Sequence, residues 1–366
     1  MPPNDEVGRS HTESRELYDR RGRPLRELRV SVTDRCNFRC RYCMPREHFG
    51  AEHDFAQKSE ILTFEHVFRV VRVLRERGLG KVRLTGGEPL LRRELGKLVR
   101  QLKSLPGLEV ALTTNGSLLS NHAAELHAAG LDRLTVSLDA LDEATFHLIS
   151  DSRSTPNDVL RGIASAERAG FKSLKINCVV KRGVNENQIM PLVEHFRYSG
   201  HELRFIEYMD AGETNGWHTT EVVTAREIFA TIGAKYPLIP EDSASPSQTS
   251  QMVRYRDGAG RVGVIASVSQ PFCGGCTRAR LTAKGELYTC LFGRRALDVR
   301  ELIHAGASDS ELDTALSQSW SERDDRYSEM RASANSMTPR AASRIIPVSG
   351  LRRALSPRSE MSYLGG

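Results

Sequence analysis

The stretch Lys81-Val82-Arg83-Leu84-Thr85-Gly86-Gly87-Glu88-Pro89 decides how the chain is read. Basic and apolar residues alternate and then stop at a glycine pair, the pattern of a strand running into a tight turn. Just upstream, Phe64, Val67, Phe68, Val71 and Leu74 recur at helical spacing within Thr63–Arg77. Thr63 suits an N-cap there, and Gly78 the position just past the helix. The alternation extends outward from this unit. Leu28–Val32, Val82–Leu84, Val110–Thr114, Arg133–Leu138, Leu174–Val180 and Leu203–Tyr208 read as strands. Arg93–Leu105, Leu118–Ala129, Pro156–Ala169 and Asn185–Tyr198 read as helices, with Pro156 at a first helical position and Gly130 and Gly170 at helix ends. About six βα units in a row imply an α/β fold with a parallel sheet and right-handed crossovers. Six fall short of the eight that close a barrel. The expected architecture is an incomplete, laterally open TIM-type βα barrel, with a plain doubly wound sheet as the alternative. Either places a site at the C-terminal ends of the strands.

Beyond Tyr208 the pattern changes. Residues 241–250 read as a loop, Met252–Tyr255 and Val262–Val268 as a β-hairpin, and 309–332 as charged helix. The expected organisation is a disordered segment over 1–22, the partial barrel over 23–210, an α+β extension over 211–336, and a flexible segment with a Gly-Gly tail over 337–366.

The 366 residues carry 39% hydrophobic and 27% charged side chains, which suits a water-soluble chain with a sizeable core. No apolar run approaches the ~20 residues of a membrane span. The polar first 21 residues lack the apolar core of a secretory signal, so a cytoplasmic location is expected. There, seven cysteines point to ligands or free thiols rather than disulfides. The net charge of +6 is compatible with a polyanionic partner, with an anionic small substrate, or with a solvated basic surface.

Two cysteine sets carry the chemistry. Cys36, Cys40 and Cys43 are spaced C-x3-C-x2-C, and Cys273, Cys276 and Cys290 are spaced C-x2-C-x13-C. Each set is one ligand short of a closed tetrahedral site. A four-iron cluster held by three thiolates keeps one iron open for a ligand. Zinc remains an alternative at the first set, with His48, His53 and His66 nearby in sequence, and unrelated thiols are the third reading. Cys178, within an apolar strand, reads as a small buried hydrophobe. The paired glycines Gly86 and Gly87 would let backbone approach a ligand closely, and Glu88 could accept from an ammonium group. Arg29, Lys81, Arg83, Lys175 and Arg204 lie on strands expected to be buried on both faces, and Arg278 and Arg280 follow the second cysteine pair. Converging there, they would cost several kcal/mol each without anions, and a triphosphate supplies that charge through bidentate contacts.

These residues resemble a known family. Cys36-x3-Cys40-x2-Cys43, with Tyr42 before the last cysteine, and the Thr-Gly-Gly-Glu-Pro turn are similar to the signature and cofactor motif of the radical S-adenosylmethionine (SAM) superfamily. Ser-Val-Thr-Asp-Arg-Cys36, Leu-Thr-Thr-Asn-Gly116, Val-Ser-Leu-Asp139, Arg-Phe-Ile-Glu-Tyr-Met209, Phe-Cys273-x2-Cys276-Thr-Arg-Ala-Arg280 and the final Gly365-Gly366 resemble the GTP 3′,8-cyclase (MoaA) family of molybdenum cofactor biosynthesis. The resemblance spans roughly residues 23–330 and the last six. It implies two [4Fe-4S] clusters, on Cys36, Cys40 and Cys43 and on Cys273, Cys276 and Cys290, with SAM on the first. It implies a 5′-deoxyadenosyl radical that removes the ribose 3′ hydrogen of GTP, after which C3′ attacks guanine C8. Tyr42, Gly86, Gly87, Glu88, Ser137 and Met209 would contact SAM. Arg29, Lys81, Arg83, Thr113, Lys175, Arg204, Arg278, Ala279 and Arg280 would contact GTP, and Arg278, Arg280, Gly365 and Gly366 would act in catalysis. A flavodoxin- or ferredoxin-like electron donor, a downstream cyclic pyranopterin monophosphate synthase and a homodimer are implied as partners, without membrane or nucleic acid. The segment 337–359 departs from the family in being longer and more basic.

Two other classes share part of this pattern. A different two-cluster radical SAM enzyme, such as a peptide maturase, would share the first triad but not the Thr-Arg-Ala-Arg and Gly-Gly motifs. A zinc-bearing nucleic-acid-binding protein would share the cysteines and the basic charge but not the βα alternation.

Overall fold

The computed structural model describes residues 16–242, 247–336 and 359–365. Six parallel strands form its centre: β1 (Glu27–Ser31), β2 (Lys81–Thr85), β3 (Glu109–Thr114), β4 (Arg133–Ser137), β5 (Lys175–Val180) and β6 (Glu202–Glu207). They are joined over their outer face by α1 (Phe64–Glu76), α2 (Leu95–Lys103), α3 (Leu119–Ala128), α4 (Glu143–Ser150), α5 (Pro156–Ala169) and α6 (Ile189–Phe196). Five of these helices lie where the sequence reading placed them, within a few residues at their ends. The sixth, α4, was not anticipated, although Asp142 caps its first turn by accepting from Thr145 N at 2.8 Å. Caps read from sequence hold elsewhere too. Thr63 accepts from His66 N at 3.2 Å, and Thr155 and Asp158 form a reciprocal capping box around Pro156.

Strand alternation separates two environments. Leu28, Val30, Val82, Leu84, Val110 and Leu112 are fully buried against α1 and α2 residues such as Val70, Val71, Leu98 and Val99. Their neighbours Glu27, Arg29, Lys81 and Arg83 face the other way and line an interior cavity.

The sheet does not close. Its order is β12-β11-β10-β1-β2-β3-β4-β5-β6-β9-β8-β7, so the barrel stays open and the C-terminal part extends both of its edges. At one edge β10 (Arg278–Leu281) runs parallel to β1, pairing Glu27 with Arg278 and Arg29 with Arg280. It continues antiparallel into β11 (Glu286–Tyr288) and β12 (Arg295–Asp298). At the other edge β9 (Arg261–Ile265) runs parallel to β6 and leads into β8 (Gln251–Tyr255) and β7 (Leu238–Pro240). The hairpin was expected; its addition to the barrel sheet was not. Helices α7 (Ala225–Gly233), α8 (Val299–His304), α9 (Asp309–Ser321), α10 (Tyr327–Ser336) and α11 (Met361–Leu364) complete the described chain. None of the described helices is long and apolar enough to cross a membrane.

Two expectations are corrected. The charged helix over 309–332 breaks at residues 322–326, where the Arg323 carbonyl accepts from Arg20 N at 3.2 Å and its side chain turns to the Cys276 carbonyl. Residues 16–22, read as part of a disordered segment, are docked. Leu17 N donates to Arg77 O, and Asp19 forms buried ion pairs with Arg23 and Arg323.

Glu207 ties the β6 end together. It is fully buried and accepts from Ala225 N, Val268 N and Ser269 N at 2.7–2.8 Å, and from the Ser269 hydroxyl. It therefore joins β6, the start of α7 and the segment leading to Cys273. Bonds to a charged acceptor are worth about 1.5–3 kcal/mol each, and a lost acceptor strands buried donors. Glu207→Gln should lower unfolding free energy by roughly 3 kcal/mol in urea titration of the apo-protein. A loss under about 0.5 kcal/mol would contradict this bracing role.

Candidate active site

The first cysteine loop lies past the C-terminal end of β1. Cys43 N and Met44 N both bond to Cys40 O, at 2.9 and 2.8 Å, which folds the loop tightly. Arg39 locks it from within, donating to the carbonyls of Cys36, Phe38 and Phe49 at 2.7–2.8 Å. Burial and nearby Glu88 push the Cys36 thiol up to about 12. Burial also raises the Cys40 and Cys43 thiols, and each thiolate would repel the others. Arg39 offsets this only in part at Cys36, and a positive metal centre would relieve the burial and mutual repulsion of the three thiols by holding them deprotonated. Two of the three histidines of the zinc alternative are engaged elsewhere: His53 Nε2 meets the Tyr363 hydroxyl at 3.0 Å, and His66 faces His304.

The glycine turn after β2 is stitched to this loop. Gly87 N donates to Thr33 O at 2.9 Å and Glu88 N to Arg35 O at 2.8 Å. A Cβ at Gly86 would stand 2.5 Å from Thr33 O, and one at Gly87 would overlap Arg35 O. The close approach that requires glycine is therefore to the segment entering Cys36. Glu88 also differs from expectation. It is fully buried, accepts from Leu90 N, Thr114 Oγ1 and Asn115 N at 2.7–3.0 Å, and is raised by burial to about 7. Its carboxylate braces the β3 exit and has no face left for an ammonium group. Tyr42 donates to Asp139 at 2.8 Å, and burial first, offset by hydrogen bonds, leaves Asp139 raised to about 6. Ser137 ends β4 and Met209 follows β6, so both stand at the C-terminal end of the barrel with the cysteine loop. The Met209 carbonyl is held by Asn215 Nδ2 at 3.2 Å.

The barrel interior is a cavity of about 550 Å³. Of the nine residues assigned to GTP, Arg29, Lys81, Arg83, Thr113, Lys175, Arg204, Arg278 and Arg280 line it. Ala279 does not. It lies between two inward arginines on β10, so alternation turns it into the outer core, 1% exposed. Sequence reading missed Glu27, Arg133, Thr135 and Glu202 in the lining. Their signal was position, since an inward residue fixes its neighbours at i±2. Most of the basic residues begin their strands, which puts them at the N-terminal end of the barrel, opposite the first cysteine loop. The site thus spans both ends and is not confined to the C-terminal one.

Charge in this cavity is unbalanced. Among the described residues nine Lys and Arg face four Glu and Asp there. Burial opposes the Glu27 carboxylate, yet Arg29, Arg83 and Lys81 outweigh it and bring it to about 2. Burial and Arg280 push the Arg29 guanidinium well below its usual value. Burial and Arg278 lower Arg280 to about 10, and burial and Arg204 lower Lys175 to about 8. A polyanion would relieve the three lowered cations, Arg29, Arg280 and Lys175.

Cys273, Cys276 and Cys290 line the same cavity at its N-terminal end, because β10 starts beside the start of β1. Burial opposes the Cys276 thiolate, but Arg278 and Arg323 overcome it and bring it to about 6, with Arg278 Nη2 3.5 Å from its sulfur. Burial and Asp325 raise Cys290 to about 12.

The C-terminal tail occupies the barrel. Ser31 Oγ donates to Tyr363 O at 2.8 Å, and Arg280 Nη1 donates to the carbonyls of Leu364 and Gly365 at 3.3 and 3.2 Å. Arg29 Nη1 reaches Gly365 O at 3.4 Å. Gly366 lies outside the described residues.

An open βα barrel with a three-cysteine loop after its first strand, stitched to a Gly-Gly-Glu turn after its second, defines a radical SAM enzyme. A family model described as Radical SAM superfamily matches residues 30–196, and one described as Molybdenum Cofactor Synthesis C matches residues 201–329. A GTP 3′,8-cyclase of Acidothermus cellulolyticus is 49% identical over 360 residues, 96% of this chain and 99% of its own. Those of Xanthomonas axonopodis pv. citri and Staphylococcus epidermidis are 51% and 44% identical, over 87% and 86% of this chain and 94% and 93% of theirs. The chain belongs to the GTP 3′,8-cyclase family. Among solved structures, Streptococcus suis SuiB bound to its precursor peptide SuiA aligns with a TM-score of 0.56 at 16% identity, over 76% of this chain and 64% of that one. At that identity the likeness concerns the fold alone. Membership of the superfamily implies SAM and a [4Fe-4S] cluster as cofactors.

Gly365 sits at φ +70, and a Cβ there would overlap the Thr85 side chain. Left-handed backbone costs a non-glycine residue about 1–2 kcal/mol before any clash. Gly365→Ala should displace the tail and speed amide exchange over residues 361–365 by roughly tenfold or more. Unchanged exchange would show that the tail is not held by this fit.

Proposed function

We propose that the chain converts GTP to 3′,8-cyclo-7,8-dihydro-GTP, the first step of molybdenum cofactor biosynthesis, joining ribose C3′ to guanine C8. The observation that carries this reading is a single cavity lined by a second cysteine triad and by an excess of cations, two of which, Arg29 and Arg280, also hold the tail carbonyls. Cys36, Cys40 and Cys43 would hold a [4Fe-4S] cluster and SAM, and Cys273, Cys276 and Cys290 a second [4Fe-4S] cluster. When bound, the first cluster and SAM supply a hydrogen-abstracting 5′-deoxyadenosyl radical.

The chain's own residues orient and neutralise. Lys81, Arg83, Lys175 and Arg204 take the triphosphate, and Arg83 is already aimed by bonds to Thr113 and Thr135 at 3.2 Å. Arg278 lies between the second triad and the phosphates and stacks on Phe272, 5.5 Å from the ring centre. Arg29 and Arg280 hold the tail, so that Gly365 closes on the ribose between the two ends and excludes water. Tyr42, Gly86, Gly87, Ser137 and Met209 shape the SAM end. Glu88 acts there through the backbone it braces. Family membership further supports an electron donor of flavodoxin or ferredoxin type, delivery of product to cyclic pyranopterin monophosphate synthase, a homodimer and a cytoplasmic location.

The test is anaerobic product analysis with GTP, SAM and dithionite. Cyclised nucleotide should form from GTP and not from ATP. Cys290→Ala should keep part of the SAM cleavage and lose the cyclised product. Equal turnover of ATP, or a protein that takes up zinc and no iron, would end this reading.

Lys175 gives a pH signature. Its pKa of about 8 in the free protein should rise when a triphosphate binds. Below about 8 the lysine is already charged, so affinity should be flat. Above it, binding must take up a proton, so GTP affinity should fall as pH rises. Calorimetry in buffers of different ionisation enthalpy should detect proton uptake near pH 9 and none near pH 7. A pH-independent profile, or uptake that persists in Lys175→Met, would remove Lys175 from the phosphate contacts.

A further inference from the structure

Asp19, Arg23 and Arg323 form a charged cluster beneath the second cysteine loop, with side chains 0%, 3% and 1% exposed. One Asp19 oxygen accepts from Arg23 Nε at 2.7 Å and from Arg323 Nη1 at 3.1 Å. Its other oxygen closes the local turn, accepting from Arg21 N and Arg23 N at 2.9 Å. Arg23 Nη1 donates to the Cys273 carbonyl at 2.9 Å and to the Asp325 carbonyl at 2.8 Å. Arg323 Nη1 donates to the Cys276 carbonyl at 2.9 Å, and its guanidinium lies over Trp320, 4.5 Å from the ring centre. Both cysteine carbonyls of the C-x2-C loop therefore end on arginines that one aspartate fixes.

Two guanidinium groups share one fully buried carboxylate, and the second carboxylate, Asp325, 3.6 Å from Arg323 Nε, is 30% exposed and so partly screened by water. Buried charge that is incompletely paired is costly. A cluster on three cysteine thiolates carries net negative charge, which would strengthen the pairing of both arginines. Groups behind a metal's ligands orient them and tune the metal as strongly as many ligands do. Arg23 Nη2 is also buried without a hydrogen-bond acceptor among the described residues, which leaves a donor unspent beside Cys273.

We infer that Asp19, Arg23 and Arg323 are positioning residues for the second cluster: they clamp the Cys273 and Cys276 backbone and supply the positive charge its thiolates require. The segment entering the barrel thereby becomes part of the metal site at the substrate end. This rests on the reading that the second triad carries a cluster.

The experiment compares full-length wild type, Asp19→Asn and Arg23→Lys after anaerobic reconstitution. Iron per chain, electron paramagnetic resonance with and without GTP, uncoupled SAM cleavage and melting of the apo-proteins are measured. Asp19→Asn frees both arginines while keeping the shape. Arg23→Lys keeps the charge and loses the fork that joins the Asp19 carboxylate, through Nε, to the Cys273 and Asp325 carbonyls, through Nη1. In Asp19→Asn, iron should fall from about eight per chain towards four, with uncoupled SAM cleavage within about twofold of wild type. Arg23→Lys should keep its iron, shift the resonance of the second cluster and weaken the GTP-induced change several-fold. Asp19→Glu should restore part of the iron. Wild-type iron and spectra in both variants would overturn the inference, as would a parallel loss of both clusters with a lowered apo-protein melting point in both variants. Only four irons in the wild type would instead end the two-cluster reading.

Discussion

The parallel pairing of β10 with β1 is the contact on which the rest of the site depends. It sets Arg278 beside Glu27 and Arg280 beside Arg29, which turns both arginines inward and Ala279 outward. It also puts the loop before β10, with Cys273 and Cys276, at the end of the barrel where the strands begin. The first cysteine loop follows β1 and lies at the other end. One edge strand therefore adds a second cysteine loop at the end of the barrel opposite its C-terminal rim. The sequence places these two loops about 230 residues apart, and only the sheet register brings them to opposite ends of one barrel.

The cavity between them is built from groups that repel one another. Arg29, Arg83, Arg278 and Arg280 share adjacent strands, and Glu27 meets several of them. Such an arrangement is unfavourable in isolation and would be expected to open or hydrate. The structure manages it in three ways. Hydroxyls of Thr113 and Thr135 satisfy Arg83, Glu202 pairs with Arg204, and the tail carbonyls of Leu364 and Gly365 satisfy Arg280. The tail is therefore more than a plug, since its backbone dipoles take part of the charge that a polyanion would otherwise meet. A triphosphate that displaces none of these contacts still meets a surplus of cations.

Most of the barrel was legible in the sequence, because period-2 strands and capped period-3.6 helices are local patterns. Thr63, Thr155 and Pro156 mark helix starts by their own chemistry and needed no tertiary context. The edges were not legible. Arg278–Leu281 alternates but is only four residues long and lies between a cysteine loop and a turn, too short for its pattern to mark a strand, and its partner is some 250 residues away. Glu88 and Glu207 were read by type as available carboxylates or passed over. Nothing local says that buried backbone amides consume both. Five cavity-lining residues of the nucleotide set, Arg29, Lys81, Arg83, Lys175 and Arg204, were recognisable for the opposite reason: a charged side chain in a strand otherwise buried on both faces has few structural explanations.

The same logic reaches the N-terminal segment. Residues 16–22 are polar and read as disordered, since composition reports only the lack of apolar area to bury. Asp19 is ordered by charge instead. It sits where the C-terminal break at Arg323 and the loop at Cys273–Cys276 meet, and it joins the first described turn of the chain to the last helices. The order of assembly follows from this. The loop at Cys273 and Cys276 is complete only after β10 has paired with β1 and the break after α9 has turned Arg323 inward. The loop that carries the second triad therefore depends on contacts among the most distant parts of the chain. The first cysteine loop depends on β1, the turn after β2, the exits from β3 and β4 and the end of α4, all within the first six βα units. A lesion far from either triad should consequently reach the second before the first.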